Sequence, residues 1–108
     1  MKIDNAAIEQ LFLDGRTANG FLDTPVPAAL LQEIYDIAKM GATSMNAQPT
    51  RYVFLTNEAA KQRLMPALSP GNVVKTQSAP VCVIVATDTQ FYEHMPVVFP
   101  NNPGAKAL

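Results

Sequence analysis

Three polar clusters interrupt an otherwise apolar chain: Arg16-Thr17, the run Thr43-Ser44-Met45-Asn46-Ala47-Gln48-Pro49, and Asn72-Val73-Val74-Lys75. Lys75 is the only charged residue between Arg63 and Asp88. A cation in so apolar a stretch is costly to bury unless it faces an anion or a cavity. Two cations with a row of hydroxyl and amide groups are what a phosphorylated, polyhydroxylated ligand requires. Each cluster also has an ordinary reading. Arg16 can be an exposed cation at a helix end, Thr43 to Pro49 can be turn chemistry, and Lys75 can be a solvated side chain. Other chemistries are missing. Cys82 lies in the apolar run Val81 to Ala86, the setting of an inert buried thiol. With one cysteine and one histidine, His94, no His/Cys zinc set can be assembled, so no metal site is expected. There is no Gly-rich phosphate loop, no Gly-x-Ser-x-Gly and no paired-carboxylate constellation, so no side chain is assigned acid, base or nucleophile duty.

The elements that position these clusters follow from spacing. Ile8, Leu11 and Phe12 share one face of a helix over Asn5 to Asp14, capped by Asp4 or Asn5 and ended by Gly15. Arg16 to Gly20 is a loop. Pro27 opens the clearest helix, with Leu30, Leu31, Ile34, Ile37 and Ala38 on one face, Lys39 in its last turn and Gly41 as a left-handed cap. Thr43 to Thr50 is a loop. Arg51 to Thr56 and Val81 to Ala86 read as strands whose unbroken apolar runs predict burial on both faces. Between them, Asn57 caps a helix to about Leu64 that ends at Pro66, Ser69-Pro70-Gly71 is a turn, and Asn72 to Gln77 is a short helix. Asp88 or Thr89 caps a last short helix over Phe91 to His94, and Pro96 to Gly104 is irregular.

Composition narrows the class. The 108 residues carry 48% hydrophobic and 16% charged side chains at net charge −1. That balance excludes a disordered tail and lacks the clustered Lys and Arg that nucleic acid or an anionic membrane surface demands. The apolar runs fall far short of the ~20 residues of a membrane helix. No apolar leader follows Met1-Lys2-Ile3-Asp4, which predicts a cytoplasmic protein. The length suits a single domain, residues 1–108, of mixed α and β type with helices on a sheet. Two strands alone make a marginal sheet in water, so the remaining strands are expected from another chain or from the rest of a longer protein.

The order of the pieces resembles the nitroreductase family of flavin enzymes. An early Arg16 and a loop are followed by Thr24-Pro25-Val26-Pro27 opening a helix. Then come Ala42, Thr43, Ser44, Met45, Asn46, Ala47, Gln48, Pro49 and Arg51 leading into a strand, and Asn72-x-x-Lys75 before Ala79-Pro80 and a Val-rich strand. Pro66-Ala67-Leu68-Ser69 and Phe91-Tyr92-Glu93 look like the malonic semialdehyde reductase subgroup. The resemblance covers about Leu11 to Phe99.

It implies a three-layer α-β-α sandwich of the α+β class with a mainly antiparallel sheet, here as an incomplete N-terminal half. It also implies a homodimer with FMN at the subunit interface. By the resemblance, Arg16 and Thr17 contact the FMN phosphate, Thr43, Ser44 and Asn46 contact FMN bound mainly to the other subunit, and Asn72 and Lys75 face the pyrimidine edge of the flavin. NADH or NADPH would be the electron donor, and malonic semialdehyde, a quinone or a nitro compound the acceptor. Two departures stand out: Ala18 replaces a serine that many relatives carry, and family members are roughly twice this length. The competing reading from a different class is a short noncatalytic α/β binding module or an inactive fragment.

Overall fold

The computed structural model describes residues 1–107. Its first helix, α1 (Asn5–Ile8), starts where Asp4 Oδ1 accepts a hydrogen bond from Ala7 N at 2.7 Å, and it widens into a π-helical turn over Glu9–Leu13. Helix α2 (Ala28–Ala38) follows Pro27. Strand β1 (Thr50–Leu55) then leads to α3 (Glu58–Leu64), where Asn57 Oδ1 accepts from Ala60 N at 2.9 Å. A 3-10 turn over Met65–Ala67 joins α3 to α4 (Pro70–Ser78). Strand β2 (Cys82–Thr87), a 3-10 turn over Phe91–His94, α5 (Met95–Val98) and a 3-10 stretch over Pro103–Ala107 complete the described chain.

Three expectations are corrected. Ser69-Pro70-Gly71 is not a free turn but the start of α4, because proline at a first helical position sacrifices no hydrogen bond. The tail after Pro96 is more regular than its composition suggests, for the same reason: Pro96 sits in the first turn of α5. Gly41 does not adopt a left-handed cap, since no glycine here has positive φ; the left-handed residues are Met45 (52°), Asn46 (55°) and Gln48 (47°).

Among the described residues the sheet has two antiparallel strands, in register from Thr50 opposite Thr87 to Leu55 opposite Cys82. Helix α2 docks on it through an edge-to-face contact of Tyr35 and Tyr52, ring centroids 6.0 Å apart. The burial of both strands on both faces is not reached within this chain: Val53, Val83, Ile84 and Val85 are exposed, as are Leu30, Ile34 and Ile37 of α2. Only Ala79, Met95, Ala105 and Lys61 are buried among the described residues.

The reason is missing cover. The accessible surface is 8526 Å², against about 5,900 Å² for a folded monomer of this mass. The radius of gyration is 17.7 Å, where a compact domain of this length has about 13 Å. The surplus, roughly 2,600 Å², is on the scale of an obligate interface. The apolar faces of the sheet and of α2 form one side of a core whose other side is not among the described residues.

Candidate functional site

The Thr43–Pro49 loop is held by several internal bonds and carries three left-handed residues. Thr43 is extended (φ −126°, ψ 153°) and leads into a 3-10 turn over Ser44–Asn46, closed by Asn46 N to Thr43 O at 3.2 Å and Ala47 N to Ser44 O at 2.9 Å. Left-handed backbone at non-glycine residues costs of order 1–3 kcal/mol each and survives only where side chains enforce it. Here they do. Asn46 Nδ2 donates to Val98 O at 2.7 Å, Asn46 Oδ1 accepts from Gln48 Nε2 at 2.9 Å, and Thr43 Oγ1 accepts from Gln48 N at 3.2 Å. Arg51 braces the exit: Nη1 donates to Gln48 O at 2.7 Å and Nη2 pairs with Asp88 Oδ2 at 2.9 Å, which His94 Nε2 also approaches at 3.4 Å.

This loop divides two concave regions. One, of about 920 Å³, is lined by Leu31, Tyr35, Tyr52 and Phe54 together with Thr43 and Gln48. The other, of about 750 Å³, is lined by Thr43, Ser44, Met45, Tyr92 and Met95 among others. Thr43 and Ala47 line both.

Asn72 and Lys75 lie three residues apart on α4 and so share a helix face; Asn72 is exposed and Lys75 half-buried. Among the described residues Lys75 has no carboxylate partner. Arg16 lies past α1, where Nη1 donates to Leu13 O at 3.1 Å and Gly15 O at 2.7 Å and the rest of the exposed guanidinium points to solvent. Thr17 is exposed in the loop that follows. That loop is tied to α4, because Phe21 N donates to Ser78 Oγ at 3.3 Å and Ser78 Oγ donates to Lys75 O at 2.8 Å.

The structure therefore brings Thr43, Ser44 and Asn46 together, joins Asn72 to Lys75, and ties the segment after Arg16 to the helix of Lys75. Neither concave region includes Arg16, Asn72 or Lys75, so it does not unite all three clusters within one chain.

Sequence reasoning overlooked Lys61, the buried cation, and credited Lys75 with that setting instead. Lys61 is 6% exposed and its Nζ donates to Gln77 O at 3.0 Å and Ala79 O at 2.9 Å. The usable signal was spacing: Lys61 precedes Leu64 by three, placing it on the apolar face of α3. Its neighbour Glu58, 3.1 Å from Nζ, has its carboxyl held below the ordinary value, first by the Gln62 side-chain hydrogen bond and then by Lys61. On α2, the Asp36 carboxyl is lowered chiefly by its hydrogen bond from Lys39, whose own ammonium is raised by the same bond.

The chain has clear relatives. A candidate NADH dehydrogenase/NAD(P)H nitroreductase of Stenotrophomonas maltophilia is 54% identical over 99 residues, 92% of this chain and 50% of the relative. One from Cupriavidus pinatubonensis is 50% identical over 103 residues, 95% of this chain and 53% of the relative. The chain thus spans about half the length of the curated relatives it matches. Two solved structures share its fold. A candidate nitroreductase of Exiguobacterium sibiricum in complex with FMN superposes with a TM-score of 0.76 at 19% identity, over 93% of this chain and 46% of that one. A candidate nitroreductase of Bacillus subtilis gives 0.77 at 24%, over 95% and 49%. The two-stranded sheet with its uncovered faces is thus the N-terminal portion of an α+β nitroreductase fold. The sequence model of that family matches residues 16–99, a span that opens on Arg16 and contains all three polar clusters, so the chain belongs to the nitroreductase family.

Proposed function

We propose that this chain is the N-terminal portion of a single-domain, cytoplasmic, FMN-dependent NAD(P)H oxidoreductase that works as a homodimer with flavin at the subunit interface. The observation that carries the reading is the donor set left over once internal hydrogen bonds are counted. Arg16 keeps most of its fork, Thr17 and Ser44 are exposed hydroxyls, Thr43 keeps its O–H, and Asn46 keeps one N–H. Asn72 is exposed, and Lys75 is a half-buried ammonium with no carboxylate partner among the described residues. Cations and neutral donors in this combination suit a phosphorylated, polyhydroxylated nucleotide. The separation of the Thr43–Asn46 loop from the other two clusters suits a site completed by a second subunit.

Arg16 and Thr17 would hold the FMN phosphate. Thr43, Ser44 and Asn46 would reach the flavin of the partner subunit, and Asn72 and Lys75 would face the ring. When bound, FMN supplies hydride transfer between the nicotinamide of NADH or NADPH and a small acceptor such as malonic semialdehyde, a quinone or a nitro compound. The protein's part is electrostatic and steric. A fixed ammonium at Lys75 favours the anionic, reduced ring, and the strained loop presents its donors in one geometry. No acid/base pair is required. The noncatalytic-module alternative is disfavoured by the uncovered apolar surface, which a self-sufficient domain of this size would bury.

Flavin absorbance of the purified full-length protein tests the reading. Bound FMN that NADH or NADPH bleaches is the expected result, and a colourless protein that binds no added FMN overturns it.

A further inference from the structure

Lys61 is the one buried cation among the described residues. A buried ammonium carries a desolvation cost, and a well-packed apolar side chain in the same place is often as stabilising or more so. Yet its Nζ is well partnered: it donates to Gln77 O at 3.0 Å and Ala79 O at 2.9 Å and forms an ion pair with Glu58 Oε2 at 3.1 Å. Gln77 O lies in the last turn of α4, where helical carbonyls lack intrahelical partners and the negative end of the dipole lies, and Ala79 is the extended residue that follows the helix. Pro80, three residues after Gln77, has no N–H to offer the Gln77 carbonyl. The same helix end is also held by Ser78, whose Oγ bridges Lys75 O and Phe21 N. Lys75 is one turn upstream, its carbonyl also accepting from Ala79 N at 3.2 Å.

We propose that Lys61 is a positioning residue: by holding the Gln77 and Ala79 carbonyls it fixes the rotation of α4 and with it the aim of Asn72 and Lys75. Apolar packing at this point would constrain the helix rotation less narrowly than two directional hydrogen bonds do. The inference rests on the flavin reading above, and its test separates the two.

The experiment measures FMN dissociation constant, flavin midpoint potential and thermal midpoint for the full-length protein and for Lys61→Met, Lys61→Arg, Lys75→Met and the Lys61→Met/Lys75→Met double variant. Lys61→Met should raise the FMN dissociation constant roughly ten- to hundredfold, the scale on which outer partners act on a bound site. It should also move the potential in the same direction as Lys75→Met. In the Lys75→Met background the Lys61 substitution should leave the potential where it is, because its route is then gone. Lys61→Arg, which keeps the charge, should recover part of the FMN affinity, and it carries the same comparison if Lys61→Met does not fold. A lower thermal midpoint with an unchanged potential, or equal potential shifts in both backgrounds, overturns the positioning role while leaving the flavin reading intact. A wild-type protein without FMN affinity overturns both.

Discussion

Replacing Asn46 by alanine should loosen the Thr43–Pro49 loop by an amount that can be split into side-chain and backbone parts. The side chain makes two bonds, to Val98 O at 2.7 Å and from Gln48 Nε2 at 2.9 Å. At about 0.5–1.5 kcal/mol each, their loss costs roughly 1–3 kcal/mol. The backbone at position 46 sits at φ 55°, which asparagine tolerates and alanine resists by about 1 kcal/mol or more. Asn46→Ala should therefore destabilise the closed loop by about 2–4 kcal/mol, and Asn46→Gly, free of the φ penalty, by about 1–3 kcal/mol. Native-state hydrogen exchange at the Gln48 and Ala47 amides, which donate to Thr43 Oγ1 and Ser44 O, reads these directly. A 2 kcal/mol loss corresponds to about thirtyfold faster opening. Equal exchange rates for the alanine and glycine variants would refute the backbone part. Unchanged exchange in both would show that these bonds do not hold the loop.

Lys75→Met in the flavin-loaded protein should lower the midpoint potential by roughly 30–60 mV, the equivalent of losing a charge-assisted hydrogen bond of about 1.5–3 kcal/mol, checked by spectroelectrochemistry. Glu58, whose folded pKa is depressed below 4.5, contributes stability that is present above that value and fades as pH falls through its folded pKa. In Lys61→Met its carboxyl should titrate higher than in the wild type yet still below 4.5, because Gln62 is the larger cause; carbon NMR titration follows it. The 108-residue chain by itself should self-associate and bind a hydrophobic dye through Val53, Ile84, Val85 and the exposed side of α2. A dye-silent monomer in sedimentation velocity would contradict the uncovered-face account.

Local chemistry was legible and enclosure was not. The Pro27 entry to α2, the Asn57 cap of α3 and both strands follow from short-range preferences, and the structure returns them with ends shifted by about one residue. The order of Arg16, the Thr43–Pro49 loop and the Asn72–Lys75 pair was enough to find the family. The left-handed run at Met45, Asn46 and Gln48 was invisible, because one of the bonds that hold it reaches Val98, fifty-two residues away from Asn46. Lys61 escaped for a similar reason. Its partners Gln77 and Ala79 are carbonyls, which every sequence position offers equally. The expected burial of Val83 to Val85 failed within this chain because the layer that would cover the strand is not among the described residues.

The uncovered sheet also has a temporal side. In relatives of twice this length, the corresponding N-terminal half leaves the ribosome first, with about 100 residues still to be made. At about 5–20 residues per second that interval lasts roughly 5–20 s. Throughout it, the counterparts of Val53 and Val85 would stand unshielded in a crowded cell, long after hairpins and helices have formed. Synthesis of this architecture should therefore lean on chaperones that shelter nascent chains. Slowing translation downstream of the β2 segment should lower the yield of soluble protein more than slowing it upstream.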